Sequence, residues 1–90
     1  MTKIKLSCGF EAEVDEQSIN DMRFLDLMAD YDSGAREKIF ALKEMSDLIL
    51  PKEEKERLYS ALKDEKGRVP IDAFTAAMEE LVGQLGSKKK

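Results

Sequence analysis

From Lys3 to Asp15 the chain reads KIKLSCGFEAEVD, with Ile4, Leu6, Cys8, Phe10, Ala12 and Val14 apolar at every second position, the period of a half-buried strand pair. A two-residue loop at Cys8-Gly9 would set Leu6 opposite Glu11 and divide the apolar side chains between both faces. A three-residue loop, Ser7-Cys8-Gly9, with Gly9 in the left-handed conformation, instead sets Leu6 opposite Phe10 and Ile4 opposite Ala12 on one face. The other face then holds Lys5 against Glu11 and Lys3 against Glu13, opposite-charge pairs contributing roughly 0.2–1 kcal/mol each. Apolar and charged patterns thus select the same register.

Beyond Asp15 the period changes to that of helices. Asp15 is placed to cap a helix over 16–31 ended near Gly34, followed by a second over 35–49 that stops before Pro51. Pro51 suits the first turn of a third helix over 51–65, whose Glu53-Glu54 pair complements the helix dipole and whose end Gly67 marks. Arg68-Val69 reads as an extended connector, because a residue before proline avoids helical backbone angles. A fourth helix over 71–85 carries Phe74, Ala77, Met78, Leu81, Val82 and Leu85 within an arc of roughly 140°, a single buried face. Gly86-Ser87-Lys88-Lys89-Lys90 reads as a disordered basic tail, since like charges repel and nothing apolar anchors them. No internal repeat or flexible linker divides the chain. The expected fold is α+β and mostly helical: one domain over 1–85, in which an N-terminal β-hairpin packs on about four α-helices. A two-stranded hairpin is marginal alone, so its apolar face must cover helices or meet another chain.

The first helix has more apolar residues than one face needs. Ile19, Met22 and Ala29 fall on one side, Leu25 and Met28 behind, and Phe24, Leu27 and Tyr31 farther round, an arc beyond roughly 200°. Either this helix is the middle of a small bundle or it shows a second apolar face. The second helix stacks Ala35, Ile39, Leu42, Met45 and Ile49 on one stripe and leaves Phe40 and Leu48 off it. Leu27, Tyr31, Phe40 and Leu48 are therefore the candidate partner-binding residues. Methionines at 22, 28, 45 and 78 suit an adaptable surface and equally fill gaps in an ordinary core.

Composition narrows the chemistry. Across 90 residues, 42% are hydrophobic and 38% charged, with Gly 5 and Pro 2, which excludes collagen-like and Pro/Gly-rich disordered classes. The net charge of −4, with both signs interspersed, offers no broad basic face to phosphates and disfavours nucleic acid. No apolar run fits a membrane span or a signal-peptide core, so a cytoplasmic protein with no membrane partner is expected. The lone Cys8, without any His, excludes an internal disulfide, a thiolate zinc site and a Cys/His or Ser/His nucleophile pair. Cys8 itself reads as a plain turn residue. Two acidic segments imitate calcium loops. In 62–73, with Gly67 as the sixth position, Leu62, Lys66 and Ala73 stand where oxygen ligands belong, and in 30–34 the glycine arrives one residue early. The pairs Glu79-Glu80 and Glu53-Glu54 lie on solvated faces, adjacent side chains pointing about 100° apart. No enzyme activity, cofactor or metal site is expected.

The segments KIKLSCGFEAEVDE, DMRFLDLMADYD and LYSALKDEKGRVPIDAFTAAMEELV, in this order and with the GRVP connector as the most specific element, resemble the small tail assembly chaperones of long-tailed phages and prophages of Gram-positive bacteria. The resemblance spans nearly the whole chain and brings no catalytic residues with it. It implies transient binding to the long helical tape measure protein in the host cytoplasm, assistance to tail-tube subunits polymerising around it, and departure before the virion is mature. It implies also that the codons of Lys88 to Lys90 form a slippery run read in two frames, giving a second, longer product. Edge pairing of the hairpin, or contacts between apolar helices, would make a homo-oligomer. A different class of reading is a small helical adaptor or regulator that binds a host protein.

Overall fold

The computed structural model describes residues 1–35 and 37–88, with side chains as far as Gly86. Strands β1 (Thr2–Lys5) and β2 (Glu11–Val14) pair antiparallel, Lys3 opposite Glu13, Ile4 opposite Ala12 and Lys5 opposite Glu11. Leu6 N–H donates to the Phe10 carbonyl at 2.9 Å and Gly9 N–H to the Leu6 carbonyl at 3.0 Å. Gly9 closes the loop at φ 99°, a conformation that costs little only without a Cβ. Register and turn are those that the alternation predicts. One detail differs: Glu11 gathers both lysines, Lys5 at 4.0 Å and Lys3 diagonally at 3.7 Å.

A single 3-10 turn, Glu16–Ile19, follows, and then helices α1 (Met22–Ser33), α2 (Lys38–Ile49), α3 (Lys52–Leu62) and α4 (Ile71–Lys88). The expected helix over 16–31 is therefore broken. Two aspartates compete to start it: Asp15 accepts Gln17 N–H at 2.9 Å and starts only the short turn, while Asp21 accepts Arg23 N–H at 2.8 Å and starts α1. Each cap satisfies N–H groups that a continuous helix would bond to its own carbonyls. α1 ends at Gly34, φ 72°, whose N–H bonds to the Asp30 carbonyl. α2 starts at Lys38 where 35 was expected, so Ala35 lies outside its stripe. α3 stops at Leu62 where 65 was expected. Asp64 there accepts Lys66 N–H at 2.9 Å and Arg68 N–H at 3.0 Å, a side-chain turn that competes with helix. α4 continues through Gly86 to Lys88, so the first residues of the expected disordered tail are helical; glycine within a helix costs only about 1 kcal/mol against alanine. Lys89 and Lys90 lie outside the described residues.

The apolar face of the hairpin, Ile4, Leu6, Phe10, Ala12 and Val14, is wholly buried, together with Ala41, Leu42, Met45 and Ile49 of α2, Leu58 of α3, and Phe74, Ala77, Met78, Leu81 and Leu85 of α4. The fourth helix spends its stripe on this core as expected. Its polar side chains also bond to the last residue of β1 and to the loop that follows. Gln84 donates to the Lys5 carbonyl at 2.8 Å and accepts Lys5 N–H at 3.4 Å, and Glu80 accepts Ser7 N–H at 3.0 Å and its hydroxyl at 3.1 Å. Arg57 lies over the Phe10 ring, 5.4 Å from its centre, and donates to the Glu11 carbonyl at 2.9 Å. Strand edges left open invite further strands, and these contacts take up the outward backbone groups of Lys5 and the Glu11 carbonyl. Among the described residues, no helix is long and apolar enough to cross a membrane.

Candidate partner-binding surface

Every large side chain on the inner side of α1 comes from one pattern. Phe24, Leu27, Met28 and Tyr31 stand at i, i+3, i+4 and i+7, the spacing of a single helical face, and this face meets α2. Phe24 and Leu27 are buried, and Met28 and Tyr31 are half-buried against the core. Met22 and Leu25 project the other way, 66% and 57% exposed, beside exposed Ala29. At 100° per residue these three share an arc of roughly 60°, with Asp26 about 40° beyond one side and Asp32 about 20° beyond the other. Both aspartates are exposed. At the N-terminal end of the stripe a concavity of about 320 Å³ is lined by Ile19, Asn20, Asp21, Met22 and Leu25. α1 is thus a helix on the outside of the fold with a second apolar face, and the reading that made it the middle of a bundle is set aside.

The four residues singled out in the sequence separate. Leu27 is only 8% exposed and belongs to the inner face, which corrects its placement on a free face. It meets half-buried Leu48 in the floor of a cleft of about 420 Å³ between α1 and α2, whose walls are Arg23, Asp26, Glu44 and Asp47. Tyr31 is half-buried at another cavity, about 230 Å³, lined by Met28, Leu42, Met45, Val82 and Gly83, and its hydroxyl donates to Glu79 at the rim. The Lys38 ammonium lies 4.9 Å from the centre of its ring. Phe40, 56% exposed, stands on the outer side of α2. Leu27 and Leu48 come together, whereas Tyr31 and Phe40 occupy other places.

The charged groups around this surface serve as fasteners. Arg23 donates to both carboxylate oxygens of Asp21, Nη2 to Oδ2 at 2.7 Å, which holds the Asp21 carboxyl below the usual carboxylate range and raises Arg23. At Asp47, burial alone would raise the carboxyl, and the hydrogen bond and charge of Lys55, with Lys43 beside it, outweigh that and lower it. Tyr31 is raised by its bond to Glu79, by burial and by the charges of Glu79 and Asp32. Glu79, exposed as expected, and Glu80, half-buried, also tie α4 to α1 and to the hairpin loop. Cys8 is exposed at the tip of that loop. Among the described residues, no group of three or more His, Cys, Asp or Glu side chains is arranged to hold a metal ion.

Met22, Leu25 and Ile71, the last 64% exposed, escaped selection in the sequence. For α1 a signal was present. The aromatic pair Phe24 and Tyr31, one heptad apart around Leu27, is bulkier than Met22, Leu25 and Ala29, and the bulkier stripe takes the core. Beginning the helix at the Asp21 cap would have detached Ile19 from the outer stripe and left Phe24, Leu27 and Tyr31 as the ordered face. No protein-family model, curated protein or solved structure matches this chain.

Proposed function

We propose that this protein is a tail assembly chaperone that holds a phage tape measure protein and assists the tail-tube subunits assembling around it. The observation that carries the reading is the outer face of α1: the segment DMRFLDLMADYD, on which the resemblance to these chaperones rests, is the helix that leaves Met22 and Leu25 outside the fold. Large apolar side chains exposed together mark binding surfaces in soluble proteins. A long helical client presents apolar stripes of its own before assembly, and helix-to-helix packing covers both partners. Such work needs neither a catalytic group nor a cofactor, and its place is the host cytoplasm.

The test is co-expression with the tape measure protein encoded in the same gene cluster. The expected result is a tape measure protein that stays in the soluble fraction and co-purifies with the chaperone, and that aggregates when expressed alone. A tape measure protein equally insoluble with and without this chain, or a gene neighbourhood devoid of tail genes, would overturn the reading.

A further inference from the structure

The outer stripe of α1 is short, and around the helix the charged side chains of α1 nearest to it are aspartates. Met22, Leu25 and Ala29 cover residues 22–29, about 10 Å of helix axis, between Asp26 on one side and Asp32 on the other. The cation nearest in sequence, Arg23, is held by the carboxylate of Asp21. A second copy packed here through the same stripe would bring Asp26 against its own counterpart in an antiparallel pair, and towards Asp32 of the other copy in a parallel one. Like charges at close range oppose that pairing. A helix with basic flanks meets the opposite situation, because each lysine or arginine beside its apolar positions finds a carboxylate.

We infer that the face formed by Met22, Leu25 and Ala29 between Asp26 and Asp32 receives an amphipathic helix whose apolar positions are flanked by lysine or arginine. One leucine-sized side chain of that helix enters the concavity lined by Ile19, Asn20, Asp21, Met22 and Leu25, and its next apolar residues lie along Leu25 and Ala29. Carboxylates on both flanks fix the axis of the incoming helix and reject acidic stripes. The inference rests on the chaperone reading only for the client's identity: it specifies what chemistry a tape measure segment must carry to be held at this face.

Three synthetic helical peptides of about four turns test it against the full-length protein. One carries leucine at i, i+3 and i+7 with lysine flanks, one the same leucines with glutamate flanks, and one the lysines with the leucines replaced by glutamine. Titration followed by anisotropy, with amide chemical-shift mapping, is expected to show the leucine–lysine peptide binding at α1. The glutamate version should be at least about tenfold weaker and the glutamine version weaker still. The double substitution Met22→Ser/Leu25→Ser should weaken the first peptide at least about tenfold while the unfolding midpoint stays in place. Asp26→Asn/Asp32→Asn should bring the lysine and glutamate peptides to similar affinity.

Equal binding of the two leucine peptides by the unaltered protein would overturn the inference, as would shifts confined to another face. A dimer seen in sedimentation and dissolved by Leu25→Ser would overturn it in favour of a second copy. Failure here is separable from failure of the chaperone reading. A tape measure protein still captured by Met22→Ser/Leu25→Ser overturns this inference alone. Peptides that bind as stated, together with a tape measure protein that never binds, overturn the functional reading alone.

Discussion

α4 and α1 are both rich in large apolar residues, yet they use them differently. α4 places Phe74, Ala77, Met78, Leu81 and Leu85 in the core, since it touches the hairpin, α2 and α3. α1 leans chiefly on α2 and buries Phe24 and Leu27, while Met22 and Leu25 stay outside. Apolar content therefore does not decide burial. What decides it is how many sides of a helix have neighbours, and a helix at the margin of a small core keeps whatever exceeds its one covered side.

Five substitutions, one of them read through an acid titration, probe this contrast. Leu81→Ala, at a fully buried site on α4, should cost about 2–5 kcal/mol in urea unfolding. Leu27→Ala, on the covered side of α1, should cost near the lower end, about 2 kcal/mol, because a marginal site relaxes around the missing atoms. Equal losses at the two sites would erase the difference between the helices. Gly34→Ala should cost about 1 kcal/mol. The added Cβ meets nothing within 4 Å, so only the positive φ of 72° penalises it.

Acid should act on the tethers that precede α1. Glu16 is held below its ordinary 4.5 by the Thr2 hydroxyl, and Asp21 below its ordinary 3.8 by Arg23. A carboxyl with a depressed folded value binds its proton more readily when unfolded, so its contribution is complete above those ordinary values. It fades as pH falls through the lower folded ones. Unfolding midpoints should decline below about pH 4.5, and Asp21→Asn should flatten part of that decline; an unchanged slope would show that Asp21 holds nothing. Smallest of all, Leu25→Ser should move stability by no more than about 0.5 kcal/mol, and a loss comparable to that of Leu27→Ala would return Leu25 to the core.

The hairpin was legible residue by residue, because period-two alternation and the Lys/Glu pairing each penalise a one-residue slip. The stripe of α4 was legible for a similar reason: its apolar residues occupy one arc, and only one face can result. α1 was harder to read. Asp15 and Asp21 are both competent caps, and a pattern continuous across them hides the break at Asn20. With apolar residues nearly all round, the inner face depends on which side α2 approaches, a tertiary fact. The early end of α3 belongs to Asp64, whose side chain competes with the helix over a span where propensity alone favours continuing it.

The pairing of Lys5 with Gln84 joins residues 79 positions apart, which sets an order on how the chain is made. At ribosomal rates, roughly 4–16 s separate the synthesis of the two partners. Throughout that interval the hairpin has no α4 to lie on, and a lone strand pair in water is marginal. α1 and α2, four residues apart in sequence, meet within moments of emerging, since helices and small loops close in microseconds or less. The nascent chain thus carries its local helical pair early and its strand pair late, and the side of the hairpin that meets α4 goes uncovered through those seconds beside other growing chains. Stalling synthesis after α3 should leave residues 2–14 open to protease, with protection arriving only when α4 is released.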